Sequence, residues 1–168
     1  NSGEGLHIKG GNGSGKSTLL RIILGITSPS KGLIQAYDQD LKISYLGHKN
    51  AIKNYLTPIE NLDLLFSGDE LNLAFEWLNK FGLSHVQDEL TASLSFGQQK
   101  KLALIRVLAQ SSDLLVLDEP FVGLDQTTAD QINSFLAQKI SQGVGLVLTS
   151  HITPMIDCSA LDLGANNA

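Results

Sequence analysis

Apolar residues recur along this chain with two periods, and the switches between them mark its elements. Leu6-His7-Ile8-Lys9 reads as a short strand and Thr18-Leu19-Leu20-Arg21-Ile22-Ile23-Leu24 as the helix after it. Turn residues crowd Thr27-Ser28-Pro29-Ser30-Lys31-Gly32, which reads as a loop. Leu33-Ile34-Gln35-Ala36-Tyr37 and Lys42-Ile43-Ser44-Tyr45-Leu46 then read as short strands, the second ended by Gly47-His48-Lys49-Asn50. Thr57-Pro58-Ile59-Glu60 is a capping box with proline at the first helical position. The helix it opens carries Ile59, Leu62, Leu65 and Phe66 at helical spacing, as core packing requires. Asp69 through Phe81 is a second amphipathic helix, with Leu73, Trp77 and Leu78 on one face and Gly82 as its C-terminal cap.

Ser95-Phe96-Gly97-Gln98 again has capping-box form and opens a helix through Leu108. Leu114-Leu115-Val116-Leu117 and Gly145-Leu146-Val147-Leu148-Thr149-Ser150 are continuous apolar runs, the pattern of central parallel strands buried on both faces. Between them Asp125 caps a helix from Gln126 to Gln142, which stops at Gly143. The tail from Leu161 to Ala168 carries no pattern. The order of strands and helices predicts an α/β fold with a mostly parallel core sheet, and the span from about Thr57 to Thr91 a helical subdomain inserted into it.

The length of 168 residues fits one domain with a real core. Hydrophobic residues at 42% and charged residues at 17% are ordinary for a globular chain. A net charge of −5 with no Lys/Arg run argues against a nucleic-acid surface, which needs a basic face. Cys158, the single cysteine, has no internal partner and no motif around it, which fits a reduced compartment and a buried structural thiol. No apolar run approaches the ~18 residues that span a bilayer, and no signal-peptide pattern opens the chain. Work at a membrane is therefore expected to go through a partner. Asn1-Ser2-Gly3 leads almost at once into the first strand, so an N-terminal segment is expected to precede it.

The candidate chemistry lies where these elements meet. Gly10-Gly11-Asn12-Gly13-Ser14-Gly15-Lys16-Ser17-Thr18 contains G-x-x-x-x-G-K-[ST] between a strand and a helix, the phosphate-binding loop. Its glycines let consecutive N–H groups curl around phosphate oxygens, and the helix N-terminus adds its dipole. Lys16 is expected to reach the β- and γ-phosphates and Ser17 to ligate Mg²⁺. Asp118 and Glu119 close a buried strand, a costly placement unless they serve a metal or a proton transfer. Asp118 is placed to hold Mg²⁺ through water and Glu119 to polarise an attacking water. His151 sits at the carboxyl end of the next apolar strand, where α/β sheets collect ligands, as a contact to the γ-phosphate.

The phosphate loop, LSFGQQ (Leu94–Gln99), LLVLDEP (114–120), GLD (123–125) and TSH (149–151), in that order, resemble the ATP-binding cassette family of transporter ATPases along essentially the whole chain. The resemblance implies a P-loop NTPase fold of the cassette type, with ATP and Mg²⁺ as cofactors. It makes Ser95-Phe96-Gly97-Gln98 the signature motif that completes the site of a second copy, in a head-to-tail sandwich with ATP at the interface. Asp125 then belongs to the D-loop and His151 is the switch histidine. Phe96 replaces the glycine most common at the second signature position, but the backbone N–H remains. His48 stands where the family has the Q-loop glutamine; a neutral imidazole can do the same work with an added pH sensitivity. The resemblance implies that the family's adenine-stacking aromatic lies upstream of Asn1.

Tyr45-Leu46-Gly47-His48, Ile52-Lys53, Leu56-Thr57, Glu60-Asn61-Leu62 and Leu161-Asp162-Leu163-Gly164 narrow the resemblance to the subfamily of cytochrome c maturation haem-export ATPases. That implies a peripheral subunit on the cytoplasmic side of a cell inner membrane, partnered by integral membrane transporter subunits. Haem would be handled by the complex; nothing in this chain itself indicates haem contact. The surface between His48 and Phe66 is expected either to dock a membrane subunit or to serve as an ordinary connector. Alternatives within the same chemistry are an ATPase for another small-molecule exporter and a non-transport cassette. Clamp-type cassettes need long coiled coils and translation-factor cassettes come in tandem, and neither pattern is present. A P-loop kinase would lack the signature and the switch histidine.

Overall fold

The computed structural model describes residues 2–35 and 40–164. In chain order its elements are β1 (Gly5–Lys9), α1 (Lys16–Ile23), β2 (Ile43–Leu46), α2 (Pro58–Asp63), α3 (Gly68–Lys80), α4 (Phe96–Leu108), β3 (Leu114–Asp118), α5 (Gln126–Ser141), β4 (Gly145–Thr149) and β5 (Ser159–Asp162), with two short 3₁₀ turns at Ser84–Val86 and Thr91–Ser93. The chain divides into two compact units. One comprises Asn1–His48, Ser112–Pro120 and Ile132–Ala168; the other comprises Lys49–Ser111 and Phe121–Gln131.

The first unit is built on a sheet in the order β2-β3-β4-β1-β5. Every pairing is parallel, with Leu46 opposite Leu117, Asp118 opposite Thr149, and Ile8 opposite both Thr149 and Leu161. β3 sits between two neighbours, which is why its side chains are apolar without alternation. Ile8, Leu20 and Val116 are fully buried together, so the apolar stripe of α1 covers the centre of the sheet. Parallel strands end on the same side, and this register brings the ends of β1, β3 and β4 level with one another.

Two expectations in this unit need correction. Leu33-Ile34-Gln35 forms no strand; Leu33 and Ile34 are exposed, and extended residues without a pairing edge have no ladder to join. Ala36 and Tyr37, the rest of that expected strand, lie outside the described residues. The tail, conversely, supplies a strand: β5 pairs along β1 as the sheet's edge, with all four of its residues exposed. An exposed edge strand needs no apolar pattern, so none announced it.

The second unit is helical. Thr57 caps α2 with both bonds of a capping box: Glu60 N–H donates to Thr57 Oγ1 at 3.2 Å and Thr57 N–H to Glu60 Oε2 at 2.8 Å. Leu62 and Phe66 are buried, whereas Leu65 is exposed because α2 stops at Asp63 and the expected face does not continue. Trp77, Leu78 and Phe81 are buried along α3, the Trp77 and Phe81 rings 5.1 Å apart. Gly82 ends that helix at φ 69°, a left-handed turn that a side chain would strain.

Asn61, only 3% exposed, pins the segment before α2. Its Oδ1 accepts from Lys53 N–H at 2.8 Å, and the two protons of its Nδ2 are shared among Lys53 O, Thr57 O and Thr91 Oγ1, each 3.0–3.1 Å away. Arg106 of α4 donates to the carbonyls of Asn50 and Ala51, the latter at φ 51°. The stretch after His48, which carries no helix or strand pattern, is thus held by side-chain bonds to its backbone. Tyr55 is left projecting, 72% exposed.

Candidate functional site

The loop from Gly10 to Gly15 joins β1 to α1, and its shape follows from its glycines. Gly10 has φ 148°, and a Cβ there would lie 2.5 Å from Ser14 Oγ, so no other residue closes the turn. Gly15 is the N-cap of α1 at φ 95°. Lys16, buried to 8% exposure, folds back over the loop. Its Nζ donates to Gly10 O at 2.8 Å and Gly11 O at 3.1 Å. An ammonium has three protons, so one remains for an anion held in the loop. Ser17 lies half-buried in the first turn of α1 and Thr18 is exposed, while Gly11, Asn12 and Gly13 stand at the open surface of the loop.

At the level ends of β3 and β4 the structure assembles Asp118, Glu119, Thr149 and His151. Asp118 is 1% exposed; its Oδ1 accepts from Thr149 Oγ1 at 2.8 Å. Its Oδ2 is buried with no hydrogen-bond partner among the described residues. Glu119 has φ 49°, a left-handed conformation that costs a non-glycine residue on the order of 1 kcal/mol or more unless its surroundings impose it. They do: its N–H donates to Thr149 Oγ1 at 3.0 Å, and its Oε2 accepts from His151 N–H at 3.3 Å. Its Oε1 lies 3.4 Å from His151 Nε2, ion-pair reach without hydrogen-bond geometry.

The left-handed turn aims the Glu119 side chain toward His151 while Asp118 stays inside. Thr149 was not singled out from the sequence, although its hydroxyl bridges both acids. The TSH run carried that signal in the threonine two residues before the histidine. Tyr45 on β2 stands near this group. Burial first and then the Asp118 charge push its hydroxyl above the ordinary tyrosine value, against the lowering effect of hydrogen-bonded Arg21. His48, two residues past β2, is exposed, and no hydrogen bond among the described residues holds it. The structure thus brings Asp118, Glu119 and His151 together and does not bond His48 to them.

The second unit carries Ser95 to Gln98 and Asp125. Ser95 caps α4, with Gln98 N–H donating to Ser95 Oγ at 3.3 Å and Ser95 N–H to Gln98 Oε1 at 2.8 Å. Gln99 Nε2 braces the approach by donating to Thr91 O and Leu94 O at 3.0 and 3.2 Å. Phe96, 62% exposed, lays its ring against Gly123: a Cβ at Gly123 would sit 2.5 Å from Phe96 Cε1. Asp125 caps α5 by accepting from Thr128 N–H at 2.8 Å, and its Oδ2 lies 2.7 Å from Lys101 Nζ. The Lys101 ammonium and then the Thr128 bonds hold its carboxyl well below the usual carboxylate range. Lys101, which the sequence left without a role, is thereby the tie between the first turns of α4 and the loop of Asp125.

A parallel sheet with a phosphate loop between β1 and α1, and two acids at the end of buried β3, across β4 from β1, defines a P-loop nucleotide hydrolase. The chain belongs to the ABC transporter family, whose model matches residues 1–122, and it is an ATP-hydrolysing, nucleotide-binding subunit of that family. It is 36% identical to the "Cytochrome c biogenesis ATP-binding export protein CcmA" of Dechloromonas aromatica (strain RCB), the match covering 89% of this chain and 79% of that protein. It is 34% identical to the protein of the same name from Escherichia coli (strain K12), over 90% of this chain and 77% of the relative. Among solved structures it resembles "Dimeric Structure of MJ0796, a Bacterial ABC Transporter Cassette" at TM-score 0.81 and 27% identity, over 98% of this chain and 83% of that one. "Structure of ATP binding subunit of ABC transporter" matches at TM-score 0.80 and 25% identity, over 90% and 70% of the two chains. Among the described residues no helix is long and apolar enough to cross a membrane.

Proposed function

We propose that this chain is the ATPase of a cytochrome c biogenesis exporter, working as a pair of copies on the cytoplasmic face of a cell inner membrane beside integral membrane subunits. The identity to the CcmA relatives over most of the chain supports the system, and haem handling belongs to the complex as a whole. The dimeric cassette among the structural neighbours supports a pair. In that pair the capped, anion-ready first turn of α4 in one copy, Ser95 to Gln98, faces the phosphates held by Gly10 to Thr18 of the other. Asp125 stands at the same seam.

The partnerless, buried Asp118 Oδ2 and the Ser17 hydroxyl are hard oxygen donors, the set that suits Mg²⁺ shared with nucleotide phosphates. When bound, Mg²⁺ neutralises phosphate charge. The chain does the rest. The loop N–H groups and Lys16 orient the triphosphate. Glu119 accepts the proton of the attacking water, and His151, locked to Glu119 through its backbone N–H, presents its imidazole to the γ-phosphate. His48 at the end of β2 is a further polar group for the same water.

The observation that carries this reading is the Glu119 carboxylate, strained into place beside His151 and only 14% exposed. Glu119→Gln keeps the shape but cannot accept the proton. It should retain ATP binding and lose roughly 10²–10⁴-fold in turnover, with the ATP-bound pair accumulating on size-exclusion chromatography. Hydrolysis at the wild-type rate would remove Glu119 from the reaction. For the membrane partners, crosslinking from the exposed Tyr55 in the purified complex should capture an integral membrane subunit; labels that reach none leave the 49–57 segment as a connector.

A further inference from the structure

We propose that His7 is a positioning residue for the Glu119 carboxylate, acting through the peptide unit that joins Ser150 to His151. His7 lies in β1, 3% exposed, with Nε2 3.0 Å from Ser150 O. A carbonyl oxygen only accepts, so Nε2 carries the proton and donates. The other end of that same peptide unit is the His151 N–H, which donates to Glu119 Oε2 at 3.3 Å. The peptide is planar, so fixing the direction of its carbonyl fixes the direction of its N–H. Imidazole N–H, peptide and carboxylate therefore form one hydrogen-bonded line from β1, past the end of β4, to the residue after β3.

This line does work that the sheet does not. The β1–β4 ladder pairs His7 with Leu148 and Ile8 with Thr149, and β4 ends at Thr149. The Ser150 carbonyl lies beyond the ladder, in a turn whose own closing bond is Ile152 N–H to Ser150 Oγ at 3.1 Å. Among the described residues no other donor reaches the Ser150 carbonyl, so without the imidazole the peptide loses the bond that sets the direction of its N–H toward Glu119. A donor on its carbonyl also polarises the peptide and strengthens the N–H on the far side. A core slot of this kind is filled more cheaply by an apolar side chain, since a buried imidazole is costly without its bond. His7, Lys9, Gly10, Ser150 and His151 line one pocket, so this linkage runs beside the start of the phosphate loop.

The proposal rests on Glu119 being the base, and the two can fail separately. In the full-length protein, His7→Leu and His7→Met fill the slot without a donor, and His7→Gln fills it with one. Positioning predicts that both donor-less variants lower kcat roughly 10- to 100-fold while the ATP Kd stays within about twofold, and that His7→Gln recovers most of the rate. The ¹⁵N-resolved His151 amide proton should move upfield in His7→Leu and His7→Met and return in His7→Gln. A space-filling role predicts the opposite order, with leucine or methionine as good as glutamine or better. That order, or a His151 amide unmoved in the folded donor-less variants, overturns the proposal. Undiminished hydrolysis by Glu119→Gln would remove the base and leave the amide test of the linkage standing.

Discussion

Thr149 is the residue on which the two acids depend. Its single hydroxyl donates to Asp118 Oδ1 and accepts from Glu119 N–H, so one proton fixes the Asp118 carboxylate and one lone pair the Glu119 backbone. Asp118 Oδ1 is thereby turned inward and Oδ2 left bare. Thr149→Val keeps the shape and removes both bonds. It should lower turnover at least about tenfold and raise the Mg²⁺ concentration needed for ATP binding, with Thr149→Ser restoring both; one lost buried bond of this kind is worth about 1–3 kcal/mol. Titration calorimetry of ATP against Mg²⁺ separates the metal effect from catalysis, and a valine variant with wild-type behaviour in both would leave Thr149 a packing residue. Lys16 is simpler. Its ammonium is bound by two loop carbonyls and poised for phosphate, so Lys16→Ala should weaken ATP binding by roughly 10- to 100-fold, the value of a charge-assisted contact. Unchanged affinity by calorimetry would exclude this loop as the phosphate cradle.

At the scale of elements, local rules made most of the frame legible. The phosphate loop, both capping boxes, the Gly82 and Gly143 stops and the two apolar strands are each encoded within a few neighbouring residues, where spacing and side-chain chemistry are visible. What was not legible depends on partners far along the chain. Thr149 and His7 acquire their roles only when the parallel register brings strand ends together, and β5 is a strand only because β1 has an open edge. Leu33 and Ile34 show the converse, apolar residues without an edge to pair.

The same distinction applies to Lys101 and Asp125, 24 residues apart yet 2.7 Å from one another. Asp125 has its carboxyl depressed, so its contribution to stability is complete above the ordinary carboxylate range. That contribution is lost as pH falls from that range toward the folded value. Lys101→Met should therefore shrink the acid-side loss of thermal stability while leaving the neutral-pH fold intact, as read from melting temperature against pH. An acid limb identical to the wild type would show the pair to be too solvated to matter.

The whole molecule carries a phosphate loop in one unit and a signature turn in the other, and in a head-to-tail pair these need not come from the same copy. Two variants that are each disabled alone, at an ATP concentration well below the weakened Kd of Lys16→Ala, make the arrangement testable. Lys16→Ala disables the loop, and Ser95→Arg at an exposed N-cap places a bulky cation in the signature turn without entering the core. In a mixed pair, one site joins the damaged loop to the damaged turn and is inactive. The other joins an intact loop to an intact turn and is whole. Random pairing of equal amounts makes half the pairs mixed, each with one of two sites whole, so roughly a quarter of wild-type capacity should return on mixing. Single-turnover hydrolysis is the appropriate measure, because it counts whole sites even if the two act in concert. If each site is instead built within one copy, every site in the mixture keeps a defect and mixing returns nothing. Recovery that rises with the mixed fraction and peaks at equal amounts would establish that neighbouring copies share their sites.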